Sequence, residues 1–172
     1  MATSPQTFTE LMALEPHGPD VFVGDGPEYP WGPRVYGGQV VAQGLLAAGR
    51  TVDDPFHVHS LHAYFIRGGT ADEPIRYEVD RIRNGRSFCT RRVVARQSGG
   101  AILNLSASFH VDEPAQAALP SVVSFGPELR TPDDLEPDSW TTLFDRRQPR
   151  IEGHDGRYAL WTRMNEDLGD DR

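Results

Sequence analysis

The hydrophobic positions of residues 35–49 repeat with the period of an α-helix. The apolar or small residues recur at offsets of three and four, which is the spacing of one helical face; they are Val40, Val41, Gly44, Leu45 and Ala48. No acidic or basic side chain interrupts the segment, so we expect a helix that is buried on most of its sides. A shorter amphipathic helix is predicted over residues 7–14, and a proline-rich loop, residues 27–33, separates the two.

After residue 56 the hydrophobic period changes to two, which is the period of a β-strand. Strands are predicted over residues 57–67, 75–83, 86–97 and 101–111. Asn84-Gly85 is the strongest two-residue hairpin signal available, and Ser98-Gly99-Gly100 marks the next turn. The predicted fold class is therefore α+β, with a curled antiparallel β-sheet in meander order wrapped around a central α-helix.

The third predicted strand divides its side chains between two faces of the sheet. Cys89, Arg91, Val93 and Ala95 share one face, and Phe88, Thr90, Arg92 and Val94 share the other. Neither face is cleanly polar, so we expect one to wrap the helix and the other to be partly covered. A single sheet of this size leaves unpaired backbone groups at its edges. We therefore expect edge-to-edge pairing with a second module or with a copy of the chain.

The composition changes after residue 112. Residues 112–172 hold 14 acidic and 7 basic groups, a net charge of −7 out of the −8 of the chain, and prolines recur through residues 113–172 too closely for long regular elements. We expect residues 1–112 to form one domain and residues 113–172 to form a proline-rich acidic linker or arm, a C-terminal extension that leads toward a further domain. Within that arm, residues 158–163 have the character of a short strand.

The overall composition excludes several classes of function. A net charge of −8 and a pI near 5.2 argue against a nucleic-acid groove or an anionic membrane surface, both of which need clustered positive charge. All 17 basic residues are arginine, so lysine Schiff-base chemistry is excluded. The single cysteine, Cys89, suits a reducing compartment. With no apolar run long enough to span a membrane, we expect a cytoplasmic protein.

Four motifs occur in order along residues 8–112. They are Tyr-Gly-Gly-Gln-Val-Val-Ala-Gln at 36–43, Val-His-Ser-Leu-His-Ala-Tyr-Phe-Ile at 58–66, Arg-Asn-Gly-Arg-Ser-Phe at 83–88 followed by Arg91-Arg92, and Ser-Ala-Ser-Phe at 106–109. In order and spacing they resemble the N-terminal hotdog of type II acyl-CoA thioesterases (thioesterase B). Residues 160–165, with Asp170-Asp171, resemble the stretch that leads into the second hotdog of that family. The resemblance implies a hotdog fold for residues 1–112.

The resemblance also implies an activity, the hydrolysis of fatty acyl-CoA to free fatty acid and coenzyme A without a metal or cofactor. In the family, the aspartate, the Ser or Thr hydroxyl and the glutamine that hold the attacking water lie in the second hotdog, beyond the position of Arg172. Catalysis is therefore expected to need a second hotdog domain or a homo-oligomer partner. The alternative is a non-catalytic half that binds acyl-CoA or serves assembly.

Candidate substrate-binding residues stand at the start of the predicted central helix. They are Tyr36, Gly37, Gly38 and Gln39. Paired glycines would present backbone N–H groups with little steric shielding, and the helix dipole favours negative charge there, as an oxyanion requires. The glycines could equally serve only to let the helix pass close to the sheet. Gln39 could orient water, although structural hydrogen bonding is the alternative that we favour.

Three histidines lie on the first predicted strand, with His57 and His59 expected on one face and His62 on the other. Two imidazoles make a weak metal site, so no metal is predicted. His59 is the candidate catalytic residue, because the central helix lacks a carboxylate and a neutral imidazole is the other base that works near neutral pH. A hydrogen-bonded strand histidine without catalytic duty is the reading that we favour.

Six arginines surround the predicted hairpin. They are Arg81, Arg83, Arg86, Arg91, Arg92 and Arg96. Guanidinium groups suit the phosphates of coenzyme A. Alternatively, they pair with neighbouring acids such as Glu78 and Asp80 on an exposed face of the sheet, and this second reading is the one that we favour.

Overall fold

The computed structural model describes residues 7–27, 29–112, 130–139, 141–150 and 158–169. These residues fall into two compact units, a larger one within residues 9–112 and a smaller one mainly within residues 130–169. The helices are α1 (Phe8–Leu11) and α2 (Gly37–Gly49), with a 3-10 turn at Pro132–Asp134; the strands are β1 (Glu15–Pro16), β2 (Val21–Gly24), β3 (Phe56–Phe65), β4 (Ile75–Asn84), β5 (Phe88–Gln97), β6 (Gly100–Val111), β7 (Phe144–Arg147) and β8 (Trp161–Met164). Much of the predicted linker, residues 113–129 and 151–157, lies outside the described residues.

The larger unit contains one antiparallel sheet in the order β1-β2-β4-β5-β6-β3. Strands β4, β5 and β6 form the expected meander. The meander prediction is wrong for β3, which pairs with β6 and not with β4. The free side of β4 is taken by β2, a four-residue strand that the sequence pattern did not reveal. Since a strand has only two neighbours, β3 is left at the opposite edge of the sheet.

The hairpin between β4 and β5 forms, but the predicted two-residue turn is wrong. Asn84 is the last residue of β4 and pairs with Cys89, and the Gly85 N–H donates to the Phe88 carbonyl at 2.9 Å. A tight Asn-Gly turn would need positive φ angles at both central residues. Neither Asn84 nor Gly85 has a positive φ, so the connection is the longer segment of residues 85–87.

The core lies between helix α2 and one face of the sheet. The two faces of β5 differ as expected, because Cys89, Val93 and Ala95 are buried while Phe88 and Arg92 are exposed. Helix residues Val40, Ala47 and Ala48 pack on this buried face, together with Tyr77, Leu103 and Leu105 of the neighbouring strands. Full burial of each large aliphatic side chain stabilises a fold by about 1.5–3 kcal/mol.

The smaller unit contains a two-stranded antiparallel sheet in which β7 pairs with β8. The sequence predicts a strand at residues 158–163, and the observed strand begins three residues later, at Trp161. In this sheet the Asp145 carboxylate forms ion pairs with the guanidinium groups of Arg147 at 3.2 Å and Arg163 at 3.4 Å. Across both units, none of the described helices is long and apolar enough to cross a membrane.

Candidate functional site

Helix α2 begins without a side-chain cap. Tyr36 is the N-cap residue in an extended conformation, and its carbonyl accepts hydrogen bonds from the N–H groups of Gln39 at 3.1 Å and Val40 at 3.3 Å. The N–H groups of Gly37 and Gly38 come before these first helical bonds, so they point out of the positive end of the helix. The helix start therefore offers two backbone donors to an anionic group.

Aromatic rings lie close against both of these glycines. A Cβ atom at Gly37 would lie 2.9 Å from the Phe65 ring, and one at Gly38 would lie 2.5 Å from the ring of Tyr36. No side chain larger than hydrogen fits at either position without movement of a ring. Phe65 and Tyr36 are themselves 62% and 46% exposed. The glycines thus allow close packing, and the two rings form walls around the helix start.

The Gln39 side chain is buried below this surface, with 2% of the residue exposed. Its amide nitrogen donates to the Asp25 carbonyl at 2.9 Å, and its amide oxygen accepts from the Tyr29 hydroxyl at 2.7 Å. Both ends of the amide are therefore engaged with the protein. The side chain fastens the loop that precedes the helix to its first turn.

Sequence reasoning missed two aromatic residues in that loop. Tyr29 and Trp31 stack with ring centroids 4.6 Å apart and planes 5° apart, and Tyr36 meets both edge-on at 6.0 Å. Burial, with a contribution from Tyr36, raises the pKa of Tyr29 to about 12. The sequence feature that could have revealed them is the tripeptide Tyr29-Pro30-Trp31, which stands a few residues before the glycine motif.

All three strand histidines face away from helix α2. His57 pairs with His110 and His62 pairs with Ser106 of strand β6. His110 and Ser106 alternate with the buried residues of β6, so they and the two histidines paired with them lie on the face of the sheet away from the helix. The prediction that His62 lies opposite the other two is wrong. A β-bulge between Val58 and Ser60 inserts one residue into the strand, and the alternation of side chains therefore shifts.

His59 occupies this bulge, and its Nε2 atom lies 2.9 Å from the Ser108 hydroxyl oxygen in an exposed hydrogen bond. The rings of Phe88 and His110 meet it edge-on at 5.8 and 5.9 Å. Among the described residues, no three His, Cys, Asp or Glu side chains come together in a way that could hold a metal ion.

The structure gathers four of the candidate site residues and leaves the fifth apart. Tyr36, Gly37, Gly38 and Gln39 are consecutive at the helix start, where Phe65 of β3 contacts them. His59 lies six residues back along the same strand, about 20 Å at 3.3 Å per residue, and on the opposite face. Within this chain His59 and the helix start do not share one site.

Most of the hairpin arginines are already engaged by the protein. Arg92 donates to Asp80 at 3.0 Å and Arg96 to Glu78 at 2.9 Å, while Nε and Nη2 of Arg81 donate to the two carboxylate oxygens of Asp20, each at 2.8 Å. The Arg96 hydrogen bond, helped by Arg76, holds the pKa of Glu78 below its usual value. Exposed pairs of this kind stabilise a protein by about 0–1 kcal/mol each. The ion-pair reading is correct for these three arginines.

Arg91 is the exception among them, because it points into the core and is 1% exposed. Its guanidinium donates to the side chain and carbonyl of Thr51, directly after helix α2, and to the Asn84 side chain. The grouping of Arg91 with possible phosphate ligands is therefore wrong. It lies on the helix-facing side of β5, where it is closed to a ligand at the surface.

A single curled antiparallel sheet packed on one long helix is the architecture of the hotdog class of proteins. A solved protein of Alicyclobacillus acidocaldarius described as having a hot dog fold superposes with a TM-score of 0.74 at 20% identity, over 92% of this chain and 62% of its own. At that identity the likeness establishes the fold, and it confirms the predicted fold class.

Sequence similarity gives the family. Residues 27–110 match the family model described as acyl-CoA thioesterase N-terminal domain. The tesB protein of Mycobacterium avium subspecies paratuberculosis is 32% identical with a TM-score of 0.78, over 94% of this chain and 61% of its own. Acyl-coenzyme A thioesterase 8 of Mus musculus is 42% identical over 118 residues. By these matches, residues 27–110 form the N-terminal domain of an acyl-CoA thioesterase.

The match covers only part of these relatives. The similarity to the mouse protein spans 66% of this chain but 37% of the relative. Acyl-CoA thioesterase 2 of Haemophilus influenzae is 44% identical over 80 residues, which are 46% of this chain and 28% of the relative. The chain thus spans well under half the length of the curated relatives that it matches.

Proposed function

We propose that this protein is an acyl-CoA thioesterase that hydrolyses fatty acyl-CoA to free fatty acid and coenzyme A. The observation that carries the proposal is the family match of residues 27–110, because these residues include the helix start and the rings of Phe65, Tyr36, Tyr29 and Trp31 beside it. No metal or cofactor enters the proposed reaction. The cytoplasm is the proposed compartment, since a chain with one cysteine suits reducing conditions.

In this proposal the helix start binds the substrate through Tyr36, Gly37, Gly38 and Gln39. The N–H groups of the two glycines face the position where negative charge develops on the thioester oxygen. The dipole of the 13-residue helix α2 supports the same charge. Gln39 contributes through the loop that it holds in place, because its own amide is bonded to Asp25 and Tyr29.

A second hotdog, from another domain or another copy of the chain, is the proposed partner. Strand β3 supports this, because it ends the strand order with β6 as its one neighbour among the described strands and runs for ten residues. Its helix-facing side chains Val58, Leu61 and Phe65 are 44%, 39% and 62% exposed. Pairing at this edge would satisfy the free backbone groups and cover the apolar side chains, and the partner would supply the catalytic carboxylate.

The hydrolysis of decanoyl-CoA by the purified 172-residue chain tests the proposal. Release of free thiol measures turnover, calorimetry with a non-hydrolysable thioether analogue measures binding, and sedimentation gives the number of copies. Turnover supports a thioesterase that is complete in its own assembly. Binding without turnover supports the alternative, an acyl-CoA-binding half that needs a second hotdog. A chain that neither binds nor hydrolyses the substrate contradicts the proposed function.

Replacing Gly37 with alanine tests the helix start itself. The new Cβ would push the Phe65 ring, which lies 2.9 Å away, and misplacing a site by about 1 Å can lower turnover roughly 100-fold. We expect analogue binding or hydrolysis to fall about 10- to 100-fold. Gly49→Ala is the matched control, because it changes the same helix where a Cβ meets nothing within 4 Å. Equal effects of the two variants would contradict the assignment.

His59→Gln separates the two readings of that histidine. Its hydrogen bond to Ser108 and its position on the outer face support the hydrogen-bonded strand histidine, and a glutamine amide can replace that bond. We expect thioester hydrolysis, or analogue binding where the chain alone does not turn over, to change by less than about twofold. General-base catalysis typically contributes about 100- to 10,000-fold. A loss of that size in the pH-rate profile of His59→Gln would assign it the base role.

A further inference from the structure

Three aromatic rings form a small platform beside the start of helix α2; we define the aromatic platform as Tyr29, Trp31 and Tyr36. Tyr29 and Trp31 are stacked in parallel at 4.6 Å, with Tyr36 edge-on to both. Trp31 is 50% exposed and Tyr36 is 46% exposed. Flat aromatic surfaces of this kind bind other π systems, and nucleotide bases stack on them with little dependence on the base.

The platform is held rigidly by hydrogen bonds on both sides. Tyr29 is anchored through its hydroxyl to the buried amide of Gln39 at 2.7 Å. On the other side, the Ala71 N–H donates to the Pro33 carbonyl at 2.7 Å and the Val35 N–H donates to the carbonyl of Gly69 at 3.2 Å. A surface that is fixed before binding loses less entropy when a ligand arrives.

Two exposed arginines lie in the loop that carries the platform and in the segment that is hydrogen-bonded to this loop. Arg34 lies in the same loop, three residues from Trp31, and its guanidinium lies against Gly68. Arg67, the residue before Gly68, donates to the Gly99 carbonyl. In the described part of the chain neither forms an ion pair with a carboxylate, unlike Arg81, Arg92 and Arg96. The chain has a net charge of −8, so two neighbouring cations without a carboxylate partner are unusual in it. Guanidinium groups are well suited to binding phosphate.

We propose that the aromatic platform, with Arg34 and Arg67, binds the adenine nucleotide end of coenzyme A. The adenine stacks on Trp31, and the phosphates meet the two guanidinium groups. The assignment of the nucleotide to coenzyme A rests on the proposed thioesterase function. Because Tyr36 lies over Gly38, the platform adjoins the helix start, and an acyl-CoA that occupies both is folded back on itself.

Calorimetric titration of the 172-residue chain with adenosine 3′,5′-bisphosphate tests the proposal. This fragment carries no thioester, so the result does not depend on whether the chain hydrolyses acyl-CoA. Stacking and charge-assisted contacts of this size predict at least about tenfold weaker binding in Trp31→Ala and in Arg34→Ala. Trp31→Phe keeps a ring and should retain most of the affinity. Phe88→Ala, at an exposed ring beside His59 on the outer face of the same unit, is the matched control and should change nothing.

Competition identifies the natural ligand. Coenzyme A should displace the bound bisphosphate, and pantetheine should not. Absence of bisphosphate binding, or binding that Trp31→Ala leaves unchanged, would overturn the nucleotide site, and failure of coenzyme A to compete would overturn its assignment to coenzyme A. Failure of the thioesterase function is a separate observation, because it appears as intact nucleotide binding without any binding or cleavage of S-acylpantetheine.

Discussion

Replacing Arg91 with methionine is expected to lower the free energy of unfolding by about 3–5 kcal/mol. The guanidinium is 1% exposed, and all five of its N–H groups donate to oxygen atoms, those of Thr51, Arg83, Asn84 and Thr90. Methionine fills much of the volume but donates nothing. The side chain and carbonyl of Thr51, which is 4% exposed, would be left buried with fewer partners, and a group so deprived costs about 1–3 kcal/mol.

The position of Arg91 explains the expected size of the loss. Thr51 follows helix α2 and Asn84 ends strand β4, so one side chain ties the end of the helix to the β4–β5 hairpin. Burial lowers the pKa of Arg91, yet an arginine keeps its proton at neutral pH. The positive charge also meets the negative end of the helix dipole, which favours a cation there.

Urea unfolding followed by far-ultraviolet circular dichroism measures the change. The matched control is Arg92→Met on the next residue of the same strand, whose side chain is exposed on the opposite face and paired with Asp80. That loss should not exceed about 1 kcal/mol. Similar losses in the two variants would show that the buried hydrogen bonds of Arg91 do not stabilise the fold as the geometry indicates.

Replacing Gln43 with methionine is expected to lower the free energy of unfolding by about 2–4 kcal/mol. Gln43 is fully buried. Its amide nitrogen donates to the carbonyls of Leu11 at 2.8 Å and Asp25 at 3.0 Å, and its amide oxygen accepts from the Tyr77 hydroxyl at 2.7 Å. Burial also raises the pKa of Tyr77, so its hydroxyl stays protonated and would lose its acceptor in the variant.

A double-mutant cycle with Tyr77→Phe separates this bond from the rest of the network. The double variant should be less destabilised than the sum of the two single variants, because it leaves no unpaired group at the bond between Tyr77 and Gln43. Gln148→Met changes an exposed glutamine and should alter stability by no more than about 0.5 kcal/mol. Fully additive effects of Gln43→Met and Tyr77→Phe would contradict the proposed coupling.

The elements with strong local periodicity could be predicted from the order of the amino acids alone. Helix α2 forms where apolar or small residues recur every three to four positions. Strands β3 to β6 form where the hydrophobic positions recur every second residue. The sequence also indicated how the side chains of β5 divide between two faces, because a strand alternates its side chains whatever its neighbours are, but it did not indicate which of the two faces is buried. These features depend on residues that are close together in the chain, so they can be predicted from the local sequence.

The features that depend on residues distant in the chain became visible only in the folded protein. The four-residue strand β2 fills the free side of β4 and sends β3 to the far edge. The bulge beside His59 changes which face the strand histidines share. Arg91 is buried because the end of helix α2 brings Thr51 to it across 40 positions. Each of these features depends on strand pairing or packing between segments that are far apart in sequence. Local periodicity does not predict such contacts.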